Sequence, residues 1–209
     1  MRKLLCALPL LFSVPLIAQS APQMPGTMDV ARVTAGTYNT DPSHTLIGWR
    51  VSHFGFNDYF GIFGGATGTL ILDPAKLNEA KVDITIPVSK VTTASAGLTG
   101  HLLRAGKDGG KADFFGPAPT DAKFVSTSVV ANGITAKING NLTLNGVTKP
   151  VVLDTKFSGA GNNPFNRKAT VGFHATSVIK RSEFGIGYAV PMISDDVTLD
   201  ISVAFEKAS

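Results

Sequence analysis

The side chains with most chemistry to offer are four histidines, His44, His53, His101 and His174, and two adjacent acids, Asp195 and Asp196. A zinc site is usually announced by close ligand spacings such as His-x-His, His-Glu-x-x-His or paired cysteines, and none occurs here. His44 and His53 sit at opposite ends of one predicted strand and on opposite parities. At the usual strand rise they stand about 30 Å apart and aim at different faces, so they share no metal. His101 falls on a short predicted helix, and His174 on the outward parity of a strand. Neighbouring strand residues also point apart, so Asp195 and Asp196 cannot flank one bond as a pair of catalytic carboxylates would. The chain has no Gly-x-Ser-x-Gly nucleophile elbow. Its glycine-rich stretch 61–68 lacks the Gly-Lys-Ser/Thr ending of a phosphate loop. These residues form no catalytic set and no metal site, and each histidine reads as a hydrogen-bonded loop or strand-end residue.

The aromatic residues are more suggestive. Phe54, Phe56, Tyr59, Phe60 and Phe63 crowd around Gly55 and Gly61, and Phe114, Phe115 and Phe124 follow later. With 13 phenylalanines against one tryptophan and three tyrosines, the chain supplies apolar area with few polar tips. Two uses stay open: ordinary core, or the lining of a pocket for a long apolar ligand.

The elements that would position these residues are strands. Period two dominates beyond Gly36. Ile47, Trp49 and Val51 share one parity, as do Val82, Ile84, Ile86 and Val88. Ala136, Ile138, Gly140, Leu142 and Leu144 form another row, followed by Val151, Leu153 and Phe157. Val197, Leu199, Ile201, Val203 and Phe205 make the cleanest one. With 67–72, 124–130 and 170–177 the pattern predicts roughly eight strands. Asn132-Gly133 and Asn145-Gly146 suit tight hairpins, and Gly64-Gly65 suits a bend. A short helix is expected over 98–104, and a helical turn over 181–184. Regular strands joined by hairpins make an all-β protein, an antiparallel barrel or sandwich. Small residues on the inward parity, Ala136, Gly140 and Ala175, would leave space inside.

The chain has 209 residues, 44% hydrophobic and 16% charged, which suits one packed domain and excludes a disordered chain. Its net charge is +4, and Arg2 and Lys3 carry part of it. They precede an apolar run from Leu4 to Ala18, broken by Pro9 and Pro15, and then the small-residue exit Ala18-Gln19-Ser20. This is the pattern of a secretory signal over residues 1–20, too short and interrupted to span a bilayer. The only cysteine, Cys6, lies within it. Cleavage would leave a nearly neutral, cysteine-free chain held together by packing, a poor partner for nucleic acid. A flexible lead-in is expected over 21–35, before a domain over 36–209. The expected location is the periplasm or the exterior, with no stable membrane insertion.

Several segments resemble the YceI-like family of polyisoprenoid-binding proteins. They are Asp41-Pro42-Ser43-His44-Thr45-Leu46-Ile47, Val51-Ser52-His53-Phe54-Gly55 with Gly61-Ile62-Phe63, and His101-Leu102 with Asp113-Phe114-Phe115. Phe124-Val125-Ser126-Thr127-Ser128 and the long segment from Gly140 to Val151 follow, and Arg181-Ser182-Glu183-Phe184-Gly185 completes the set. The order runs from about residue 37 to 206. Leu98 and Thr99 stand where the family usually carries arginine and aspartate, and an insertion from Gly106 to Lys111 separates the helix from Asp113.

The resemblance implies a lipocalin-like, eight-stranded antiparallel barrel with one or two short helices. It also implies export to the periplasm, frequent homodimers, and no established catalytic residue. Its lumen would hold an isoprenoid lipid, a quinone or another long-chain amphiphile such as a fatty amide, without further cofactor. The lining expected from the strands is Ile47, Trp49, Val51, Ile138, Leu142 and Phe173. From the aromatic clusters it is Phe60, Phe63, Phe114 and Phe124, with Phe184 in the lining or at the mouth, and the candidates for polar groups near the mouth are His44, His53, His101 and Arg181. A lumen as long as an eight- or nine-residue strand would be about 20–25 Å deep. Two other readings stand beside the carrier: an enzyme acting on isoprenoid lipids, which requires His53 or His101 in the lumen beside an acid, and an interaction protein with a filled barrel.

Overall fold

The alternating rows become a ring because each has one face to bury and hairpin-length turns bring its neighbour alongside. The structure, a computed structural model, describes residues 23–208. The export segment predicted over 1–20 lies outside them. Eight staves close an antiparallel barrel, three of them interrupted. The first consists of β1 (Gly36–Thr40) and β2 (Leu46–His53), the second of β3 (Asn57–Gly64) and β4 (Thr67–Leu72), the third of β5 (Lys81–Ile86) and β6 (Val91–Thr93). The others are β7 (Ala122–Asn132), β8 (Thr135–Leu144), β9 (Val147–Asn162), β10 (Ala169–Lys180) and β11 (Asp196–Lys207).

One half of the barrel closes completely, in the order β1-β4-β5-β7-β8-β9-β10-β11, with β11 returning to β1 through Tyr38 opposite Lys207 and Thr40 opposite Phe205. In the other half β11 pairs with β2, β2 with β3 and β3 with β6, and the ladder stops there. Among the described residues β6 does not pair with β7. That gap is spanned by the only α-helix among the described residues, α1 (Ala96–Leu103), and by residues 104–121.

The interruptions follow from local chemistry. Asp41 makes an Asx turn between β1 and β2, accepting from Ser43 N at 3.0 Å. Gly65, at φ 71°, turns the chain between β3 and β4. The β8–β9 hairpin uses Asn145 and Gly146, both at positive φ. At the β7–β8 turn Asn132 ends the strand, and Gly133 alone of the pair takes positive φ. Ser95 caps α1 by accepting from Leu98 N at 3.3 Å. Two glycines, Gly97 and Gly100, cost this helix about 1 kcal/mol each relative to alanine. Packing and Thr99, whose hydroxyl accepts from Thr93 N at 3.0 Å, must therefore hold it in place.

The closed half is filled. Tyr38 and Val171 are fully buried there with Leu70, Leu72, Phe157 and Phe205. Phe173 meets Phe157 and Phe205 edge-on, with centroids 5.8 and 6.3 Å away, contacts each worth about 0.5–1.5 kcal/mol beyond area burial. The lead-in, expected to be flexible, lies against this end in its described part. Thr27 exchanges two backbone hydrogen bonds with Ala160, of 3.1 and 2.8 Å, and the Tyr38 hydroxyl donates to Thr34 O at 2.6 Å.

Candidate functional site

The half that carries the incomplete ladder is hollow. A cavity of about 240 Å³ opens between β2, β3, β8, β10 and β11 on one side and α1 with its following loop on the other. β2 supplies Ile47, Trp49, Val51 and His53, because period two sets all four on one face. β3 adds Tyr59 and Phe63, β8 Leu142 and Leu144, and β10 and β11 Ile179, Val197 and Leu199. Ile86, Val88 and Ala122 continue the wall. The roof consists of Leu98 and Leu102, four residues apart on α1, with Phe114 and Phe115 from the loop. Leu103, the next residue on the helix, is half-buried and outside the wall. The wall is apolar throughout, so His53, Tyr59 and Arg181 present carbon to the cavity rather than nitrogen or oxygen.

The cavity is shorter than the strands. From Ile47 to His53 is about 20 Å along β2 and about 15 Å along the barrel axis at a 40° tilt, against the expected 20–25 Å. The reason is aromatic filling. The Phe124 ring, on the stave beside Gly140, occupies the space a Gly140 side chain would take, and the Trp49 indole does the same over Gly61. The glycine expected to leave room therefore admits a ring. Trp49 Nε1 is buried in that contact without a hydrogen-bond partner.

The predicted lining residues separate accordingly. Ile47, Trp49, Val51, His53, Phe63, Phe114, Leu142 and Arg181 border the cavity. Phe124, Ile138 and Phe173 belong to the packed core outside its wall, and Phe184 is fully buried without reaching it. Phe60 points out of the barrel and is exposed, because pairing with β2 turns Tyr59, Gly61 and Phe63 inward. His101 lies behind the roof. The residues missed include Val197, Leu199 and Leu144, whose parity was legible, and Ile186 and Ile193, which lie in a loop with no periodic signal.

Arg181 is buried and organises that loop. Its guanidinium donates to four carbonyls: Nε to Ser194 (2.9 Å), Nη1 to Ile186 (3.0 Å) and Tyr188 (2.8 Å), and Nη2 to Ile193 (2.8 Å). Burial lowers its pKa from the usual arginine value, and nearby Asp195 opposes that shift. Asp195 itself receives Ser182 N (2.8 Å) and Ser182 Oγ (2.7 Å), while Asp196 pairs with Lys180 at 2.8 Å. The adjacent acids thus serve separate structural roles.

Over the roof, Asp113 Oδ2 lies 2.7 Å from His101 Nε2 and accepts from Arg104 Nη2 at 2.9 Å. The His101, Phe114 and Tyr188 rings meet edge-on, 5.2–5.5 Å between centroids. From the inserted segment, Lys111 Nζ donates to Gly185 O at 2.8 Å, joining the roof to the loop that Arg181 holds. The hydrogen bond from Arg104, then that from His101, holds the Asp113 carboxyl below the ordinary aspartate range. A depressed carboxyl stabilises the fold fully above its unfolded pKa and loses that effect as pH falls through its native value. Amides of 104–116 are therefore expected to lose protection, measured by NMR, below about pH 4. Asp113→Asn should show the same loss already at pH 7, and an unchanged profile in that variant would refute this role for Asp113.

The remaining histidines are dispersed. His44 is exposed with Nδ1 2.7 Å from Asp41 Oδ2, and His174 is exposed on the outside of β10. Among the described residues no three of His, Cys, Asp or Glu converge as a metal site would require.

At the rim, the β2–β3 turn sets Phe54 at φ 54° and Gly55 at φ 72°, with Phe56 N donating to His53 O at 3.1 Å. The left-handed region costs an ordinary L-residue about 1–2 kcal/mol and asparagine less. Phe54→Asn is thus expected to raise stability by about 0.5–1 kcal/mol in urea titration. A lower midpoint would show that the Phe54 ring contributes more than its backbone costs.

Comparison with known proteins bears on this arrangement. The YceI-like domain model matches residues 38–205. A UPF0312 protein of Pseudomonas paraeruginosa is 38% identical over 173 residues, 81% of this chain and 86% of that relative. The crystal structure of the Campylobacter jejuni YCEI protein superposes with a TM-score of 0.62 at 28% identity, covering 76% of this chain and 90% of that one. A polyisoprenoid binding domain from Saccharophagus degradans, implicated in plant cell wall breakdown, shares the fold at a TM-score of 0.56 and 14% identity, over 82% of this chain and 98% of that domain. An interrupted eight-stave barrel with an apolar hollow half, matched over nearly all of its described length, makes this chain a member of the YceI-like family.

Proposed function

We propose that the protein binds the hydrocarbon part of a long-chain isoprenoid, quinone or comparable amphiphile in this cavity and carries it outside the cytoplasm. The observation that supports this most is an apolar cavity placed where the strand ladder is incomplete, so that its roof is a weak helix and a loop rather than a sheet. At about 0.8 kcal/mol per buried methylene, ten methylenes contribute about 8 kcal/mol, a gross energy on the micromolar scale. A longer chain extends past the roof, where Gly97 and Gly100 make α1 easy to displace. The polyisoprenoid binding domain of similar fold points to the same ligand class. The secretory pattern over residues 1–20 supports a periplasmic or secreted location.

Two observations favour binding over catalysis on such lipids. His53 borders the cavity but has no carboxylate partner among the described residues, while His101 has Asp113 and stands outside the wall. The two requirements of the enzymatic reading fall on different histidines. The filled-barrel reading meets the filled half only.

Native mass spectrometry of the protein purified from its own host is the test. A co-purifying long-chain species, displaced by a C40 prenol, is the expected result. An apo mass together with no uptake of that prenol overturns the proposal.

A further inference from the structure

Four exposed apolar or aromatic side chains lie in the two segments that contribute His53 and Ile193 to the cavity wall. Phe56 is 89% exposed, Met192 60%, Phe54 48% and Tyr188 43%. They belong to two segments fastened together by backbone bonds: Phe54 N donates to Met192 O at 2.8 Å, Ser194 N to Ser52 O at 2.9 Å, and His53 and Ile193 form an antiparallel bridge. Neither segment, 51–57 or 184–194, contains an aspartate, glutamate, lysine or arginine. Exposed loops normally carry charge, and these carry aromatic rings and a methionine, with Phe54 held at positive φ. Tyr188 packs on His101 and Phe114, and Phe54 on His53, but Phe56 and Met192 are left in solvent.

We infer that this rim is a membrane-docking face, with Phe54, Phe56, Tyr188 and Met192 entering the interface of a phospholipid bilayer. The inference rests on the reading of the cavity as a hydrocarbon site. Two observations about the rim select a bilayer as its occupant. The rim is continuous with the cavity, since His53 and Ile193 belong to both, so a chain leaving the cavity passes into lipid without crossing water. Cations stand beside it: Lys111, whose Nζ donates to the Gly185 carbonyl, suits an anionic phosphate group, whereas the exposed Arg104 next to the His101–Tyr188 contact is already paired with Asp113. Aromatic residues with few neighbouring charges are the side chains that partition into the interface.

The opposite end supplies a control. Phe165, 95% exposed in the β9–β10 turn, is flanked by Asn163, Asn166, Arg167 and Lys168 and does not border the cavity.

Hydrogen exchange of the full chain, with and without phosphatidylethanolamine/phosphatidylglycerol vesicles, tests the inference segment by segment and so is insensitive to the apolar residues 4–18. Vesicles are expected to slow exchange at 53–57 and 187–193 at least fivefold and to leave 163–168 unchanged. The Phe54→Asn/Phe56→Ser double variant should lose that protection without any fall in its thermal midpoint and with its uptake of a C40 prenol from detergent intact. Phe165→Ser should behave as the parent. No vesicle-dependent protection, equal protection in the double variant, or protection that grows with protein concentration in the absence of vesicles overturns docking, the last by showing that a second copy covers the rim. Docking without prenol uptake would instead overturn the cavity reading alone.

Discussion

Replacing Leu98 by tryptophan is expected to weaken binding of a long-chain ligand about 100-fold without lowering the melting temperature. Leu98 faces the cavity from α1 and is only half-buried, so a larger ring there grows into empty space rather than into packed core. An indole in the roof displaces three to four methylenes of ligand, about 2.5–3 kcal/mol at 0.8 kcal/mol each, which is the stated fold-change. Overpacking is the usual hazard of such a substitution. Here the roof rests on a glycine-containing helix with no ladder partner, so it can yield. Displacement of a fluorescent fatty-acid probe measures the affinity, and differential scanning calorimetry the fold. Unchanged affinity in a variant that melts like the parent would place the ligand elsewhere.

Arg181→Met should cost about 3 kcal/mol of stability and release the loop over 185–195. The substitution keeps much of the stem but removes a charged donor that satisfies four carbonyls. A hydrogen bond to a charged group contributes about 1.5–3 kcal/mol, and an unsatisfied buried carbonyl costs about 1–3. The desolvation of the guanidinium, relieved in the variant, offsets part of the sum. For a chain of this length, 3 kcal/mol lowers the melting temperature by about 6–12 °C. Arg181→Lys should recover only part of the loss, because three ammonium donors on a flexible stem cannot reproduce a planar fork. Urea titration combined with exchange at 185–195 separates global from local effects. A Met variant within 1 kcal/mol of the parent would mean that water satisfies those carbonyls.

The outcome at Arg181 shows where reading along the chain runs out. Its place at the mouth was expected from a resemblance, as a polar group that could meet a ligand. Its four acceptors lie between Ile186 and Ser194, on a loop without periodicity, so its role as an internal clamp had no linear signature. Phe60 and Phe63 differ in another way. Both stood in one aromatic cluster, yet the register of β3 against β2 sends Phe63 to the cavity and Phe60 to solvent. A one-residue choice of face is invisible until the pairing is known.

β1, β3 and β6 were not readable in advance, whereas the eight staves, their antiparallel order, the Asn145-Gly146 hairpin and the inward rows of β8 and β11 were. They depend on backbone pleat and turn sterics, which act over two to four residues. The location of the empty space was not readable. Along β8, Ile138, Gly140, Leu142 and Leu144 share one face, but only the last two border the cavity, and the gap at Gly140 holds the ring of Phe124. Whether a lumen is occupied depends on volumes summed across eight staves that meet only after closure. A parity rule describes one stave at a time and carries no information about that sum.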